Sequence, residues 1–142
     1  MSLLATATTA ILGALSGAPG VPAVSRIRLR AAAQASSGAV VVRPMQTEVF
    51  EASLAPGYPV SWNSTIAVEC YARATPGTAP DLAVDNIVTS VYAALMADTT
   101  LGGAVIHLSP QSLNYDFDAD ADTTVCATFV FIARQTSAAG SF

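Results

Sequence analysis

Residues 2–15 place Leu3, Leu4, Ala7, Ile11, Leu12 and Leu15 near helical spacing, which predicts a short N-terminal helix. Ser2 suits the cap, and Gly17, Pro19 and Gly20 stop the run. From Arg26 the pattern turns to period two, with Ile27 and Leu29 inward and Arg26, Arg28 and Arg30 outward on a half-buried strand. Residues 31–39 are small and read as a loop. Val40-Val41-Val42 opens an extended stretch that Pro44 limits to an edge or a strand start. Looser alternation follows, with Thr47, Val49 and Glu51 on one side and Phe50 and Ala52 on the other. Ala55-Pro56-Gly57-Tyr58-Pro59 is a turn.

The clearest strand covers residues 60–74. Ile66, Val68, Cys70 and Ala72 fall on one face, and Glu69, Tyr71 and Arg73 on the other. A helix follows Thr75-Pro76-Gly77. Thr78 and Asp81 are spaced like a capping box, Pro80 is tolerated in the first turn, and Asp81 and Asp85 favour the positive end of the helix dipole. Val84, Ile87, Val88, Val91 and Leu95, with Tyr92 nearby, form its apolar stripe. Gly102-Gly103 reads as a helix-to-strand turn that needs positive φ.

Residues 104–117 predict a strand with Val105 and His107 on one face and Ile106 and Leu108 on the other. An acidic turn spans 118–122. The final strand, 123–135, is apolar on both faces near Phe129–Ile132, which predicts a central strand covered on both sides. The tail from Thr136 reads as loose. The order α-β-β-β-α-β-β predicts an α+β fold: one domain over residues 1–142, a single mostly antiparallel sheet, two helices packed on one face.

Composition narrows the function. Ten acidic residues oppose six basic ones, all of them Arg, for a net charge of −4. So few cations argue against a grip on nucleic acid, which needs clustered Lys or Arg against phosphate. Hydrophobic residues make up 52% and charged ones 11%, which suggests that part of the surface is buried in an assembly. No run approaches the roughly 18 unbroken apolar residues of a membrane span. The N-terminal stretch has no Lys or Arg ahead of it, unlike a secretory signal, so a secreted domain is the weaker reading. Cys70 and Cys126 lie in apolar strand-like runs and read as reduced, small hydrophobes. Adjacent strands could nonetheless place them near each other.

Candidate chemistry is sparse. Asp116, Asp118, Asp120 and Asp122 alternate like the start of a calcium loop. That loop needs Gly at its sixth position and Glu at its twelfth. Counted from Asp116 those positions hold Ala121 and Ala127, and from Asp118 they hold Thr123 and Phe129. The acidic segment therefore reads as a solvated hairpin tip that discourages edge-to-edge pairing, and a metal-binding module using Asp116–Asp122 is a lesser alternative. His107 is the lone histidine, without a nucleophile elbow to serve. The expectation is a protein that is not an enzyme, with no cofactor and no metal. The three arginines at 26–30 read as a solvated face or as a contact to an acidic neighbouring subunit.

Residues Trp62 to Gln135 resemble the tail terminator (minor tail protein U-like, tail completion) family of long-tailed bacteriophages. The resemblance lies in three places. One is a strand ending Tyr71-Ala72-Arg73, and the second is the helix APDLAVDNIVTSVYAALMADTTLGG. The third is a strand, an acidic turn and a last strand closing in Ala133-Arg134-Gln135-Thr136. It implies a virion protein of the tail–neck region, assembled in the host cytoplasm. Such a protein forms a homo-hexameric ring that caps the tail tube, ends its polymerisation and offers the surface to which the head joins. The implied partners are further copies of itself, the tail tube protein and a head–tail connector or neck protein. DNA only passes through the lumen, and no membrane is involved. Another neck or tail-completion component is the nearest alternative. Val49, Phe50, Asp116, Phe117, Asp118, Asp120 and Asp122 are the expected subunit or partner contacts.

Overall fold

The computed structural model describes residues 1–26, 38–52, 57–74, 76–117, 124–138 and 142. Its elements are α1 (Leu3–Leu15), β1 (Val24–Arg26), β2 (Gly38–Ala52), β3 (Val60–Arg73), α2 (Pro80–Met96), β4 (His107–Phe117) and β5 (Thr124–Ser137). The order is α-β-β-β-α-β-β, as the hydrophobic pattern predicts. Ile27, Arg28, Leu29, Arg30, the 31–37 part of the small-residue loop, and Ala55 and Pro56 of the turn lie outside the described residues.

The five strands form one sheet in the order β1-β2-β3-β5-β4. β1 runs parallel to β2, and every other pair is antiparallel. Both helices pack on one face. There Ile11 and Leu15 of α1 and Val84, Val91 and Leu95 of α2 meet Val40, Val42, Ile66, Val68 and Phe131, all fully buried. Full burial of an aliphatic side chain of this size contributes about 1.5–3 kcal/mol. Gly38 permits one close approach in this packing, because a Cβ there would stand 2.9 Å from Ile87 Cδ1 and 3.2 Å from the Tyr71 carbonyl oxygen.

Local chemistry sets the helix ends. Ser2 caps α1, its hydroxyl accepting from the Ala5 N–H at 3.3 Å. α2 departs from the capping-box expectation. Its cap is Ala79, which has no side-chain acceptor, and Thr78 stands one residue outside. Pro80 opens the helix with its φ already set and no N–H to satisfy. After α2, the Asp98 carboxylate accepts from the Thr100 hydroxyl at 2.6 Å, the Gly102 N–H at 2.8 Å and the Thr100 N–H at 3.0 Å. Leu101, Gly102 and Gly103 all take positive φ (50°, 70° and 89°), so the glycines are the φ > 0 turn the sequence predicts.

Several expectations change. β4 starts at His107, not 104. Val105 is buried in the turn, while Ile106 is 55% exposed and Leu108 is fully buried. Pro44 lies inside β2, opposite Ile66, beside a bulge and beyond Val42, the last described partner of β1. A second bulge between Val49 and Glu51 puts Val49 opposite Trp62 but Glu51 opposite Ser61, so those two side chains no longer share a face. β5 is central, yet only its helix side is fully covered. Val125, Ala127, Phe129, Phe131 and Ala133 are buried, whereas Val130 and Ile132 on the other face are only partly so. The expectation of cover on both sides fails because both helices use the same face. Thr136 and Ser137, expected in a loose tail, belong to β5: Thr136 pairs with Ser61 and the buried Ser137 with Val60, and residues 139–141 lie outside the described residues. Trp62 explains the extension. Its indole N–H donates to Ser137 Oγ at 2.8 Å, and its ring meets Phe142 edge-on at 5.1 Å.

Cys70 lies opposite Ala127, and Cys126 lies opposite Tyr71. The two thiols therefore point to opposite faces of the sheet, and both are free.

Candidate interaction surface

The predicted contact residues fall at two separate places. Val49 and Phe50 lie near the end of β2, both about half exposed. The bulge leaves Phe50 out of the ladder, and the Arg134 guanidinium sits 3.7 Å from its ring centroid. Such a cation–π contact at an exposed site is worth about 0.5–1 kcal/mol. Asp116 and Phe117 end β4, opposite Cys126 and Val125. Val49 shares a row with Trp62, whereas Phe117 shares one with Val125 and Ala72. At the usual strand rise those rows are roughly 30 Å apart. The fold thus makes two surfaces of what the sequence offered as one set. Asp118, Asp120 and Asp122 lie outside the described residues.

The surface around Phe117 is larger than expected. β4 is an edge strand, paired with β5 alone among the described residues. Tyr115 and Phe117 lie on the helix-bearing face, with ring centroids 6.5 Å apart. With Asp81, Leu82 and Asp85 of α2 they line a groove of about 300 Å³. Leu82, Tyr115 and Phe117 are 58%, 42% and 59% exposed. Partial burial, and then the nearby charge of Asp85, push the Tyr115 hydroxyl above its ordinary pKa. Tyr92 continues the apolar surface inward, stacking on Phe129 at 5.8 Å, and Phe129 stacks on Phe131 at 4.5 Å. Leu82 escapes the sequence reading, and Tyr115 enters it only as the first residue of a 115–124 hairpin expected to meet a partner. The alternation Leu113, Tyr115, Phe117 is visible there, but a strand with one apolar side is ordinarily assumed to bury it.

The opposite sheet face carries a polar cluster beside the buried Val41 and Ala67 of β2 and β3. Arg43 Nε donates to Glu69 Oε1 at 3.1 Å, and the Tyr71 hydroxyl donates to Glu69 Oε2 at 3.0 Å. On the helix side a buried polar belt joins Thr47, Ser64 and Gln135. The Thr47 and Ser64 hydroxyls are 3.0 Å apart, and Ser64 donates to Gln135 Oε1 at 3.3 Å.

The titratable groups offer little nucleophilic power. Burial pushes the Cys70 thiol up to about 12, with the charge of Cys126 adding to it. Burial also raises Cys126. Both therefore stay thiols at neutral pH. His107 is exposed at the start of β4. Among the described residues no three His, Cys, Asp or Glu side chains come together in a way that could hold a metal ion. Among them, too, no helix is long and apolar enough to cross a membrane.

No family model matches the chain, and no curated protein matches it. Among solved structures, a chain in the virion of a native gene transfer agent particle is similar at 16% identity. The match covers 92% of this chain and 94% of that one, with a TM-score of 0.49. Superposition that loose assigns nothing to this protein by itself.

Proposed function

We propose that this protein is a structural component of a phage-like virion, acting as a tail terminator. In this reading copies of the chain form a hexameric ring on the end of the tail tube, stop its growth and present the surface that a head–tail connector meets. The ring works through shape and self-association and carries out no reaction. DNA passes through it without being held, in keeping with a chain that has ten acidic residues and only six arginines.

One observation carries the proposal: the exposed apolar rim of Leu82, Tyr115 and Phe117, at the free edge of the sheet. Large apolar side chains gathered at an edge mark an interaction site more often than a solvated surface. That rim is built from the start of α2 and the end of β4, within the segments that resemble the tail terminators. A second observation agrees: a closed ring of head-to-tail contacts needs two different patches on each subunit, and the two outer edges of the sheet among the described residues, β1 and β4, are different strands at the same height.

Electron microscopy of the purified protein, alone and mixed with tail tubes, tests the proposal. Rings, free or seated on tube ends, are the expected result. A protein that stays monomeric and leaves tube ends bare overturns it.

A further inference from the structure

The sheet has two outer edges among the described residues, β1 and β4, and they differ in charge. Among the described residues, Asp81, Asp85 and Asp116 lie at or beside β4, and Arg26 ends β1. Register places the two edges at the same height. Val24 shares a row with Val40, Cys70, Ala127 and Tyr115, and Arg26 shares one with Val42, Val68, Phe129 and Leu113. Following the pair directions across the sheet, β1 runs opposite to β4.

We propose that the β4 edge of one copy receives the β1 edge of a second copy as an antiparallel neighbour, with Arg26 of the incoming strand facing the Asp81–Asp85 groove. The inference rests on the ring reading above and deepens it by naming the joint. Charge complementarity selects the occupant. Among the described residues the lining of the groove includes two carboxylates and no cation, and Arg26 is exposed. Geometry supports it. Arg26 shares a row with Val42, whose side chain lies on the helix-bearing face, and the groove opens on that same face. In an unshifted joint Arg26 stands two rows from Tyr115, about 7 Å, within reach of an arginine side chain. Because both edges sit at one height, the joint adds little rise from copy to copy, and contacts without rise close into rings, not filaments. An acidic β4 edge also repels a second β4 edge, which disfavours the competing two-fold pairing.

The test is charge exchange in the full-length chain, read by sedimentation at low and high ionic strength. Arg26 and Asp85 are both exposed, so Arg26→Glu and Asp85→Arg should keep the wild-type circular dichroism spectrum. Each single variant should associate about tenfold more weakly than wild type at low salt. The double variant, with the charges exchanged, should recover association, as should an equimolar mixture of the two single variants. Asp85→Asn supplies a milder step with an intermediate loss. Single variants that associate like wild type overturn the proposal, and so does a double variant that stays as weak as the singles. If every variant still forms rings on tail tubes, this joint is wrong while the ring reading stands. If wild type forms no ring even on tubes, the ring reading itself fails.

Discussion

β3 and β4 are both long antiparallel strands of one sheet, and both pair with β5. β3 is also paired with β2 and is buried on its helix side from Ser64 to Ala72. Among the described residues β4 has β5 alone, and after Leu108 none of its residues is fully buried. Yet β4 carries Leu113, Tyr115 and Phe117 at every second position, as regular as Ile66, Val68 and Cys70. The difference lies in α2, which packs chiefly against β3 and β5 and leaves an open groove between itself and the end of β4. The same apolar alternation therefore stabilises the monomer in one strand and stays largely at the surface in the other.

Substitutions should separate these roles. The largest effect belongs to β3. Ile66→Ala empties a fully buried site and should cost about 2–5 kcal/mol in chemical denaturation. Next, Ser64→Ala leaves Thr47 and Gln135 without their shared partner and should cost about 1–3 kcal/mol. Asp98 offers a pH-dependent check. Hydrogen bonds from the Thr100 hydroxyl, the Gly102 N–H and the Thr100 N–H hold its carboxyl below the ordinary value. A lowered native pKa means its contribution is present above the unfolded-state pKa and is lost as pH falls through the native one. Asp98→Ala should thus lower the melting temperature at neutral pH, and the gap to wild type should narrow in acid. Arg43→Gln removes a part-exposed ion pair with Glu69 and should change stability by under ~1 kcal/mol. The smallest change is expected for Phe117→Ser, within about 0.5 kcal/mol of wild type for the monomer, while ring formation falls. A large loss of monomer stability there would dissolve the contrast between the two strands.

Much of the architecture was legible because periodicity reports burial. The α2 stripe from Val84 to Leu95 and the two faces of β3 are where spacing puts them. The Gly102-Gly103 turn was legible because few other residues accept positive φ. Misreadings arose where a long-range partner decides. Nothing local shows that the second bulge of β2 throws Glu51 to the other face, or that Trp62 and Ser137 hold the last strand in register beyond Gln135. Val130 and Ile132 look as buried in sequence as Phe129 and Phe131, and only the placement of both helices on one side distinguishes them. The exposed groove was half legible. Phe117 is among the contacts expected from the sequence, whereas Leu82 meets Tyr115 and Phe117 only when α2 and β4 are set side by side.

The opposed thiols of Cys70 and Cys126 have a practical consequence. With the sheet between them they cannot be joined within one copy, so no internal cross-link can form or be lost as the redox environment changes. The folded chain should therefore melt at the same temperature with or without reductant.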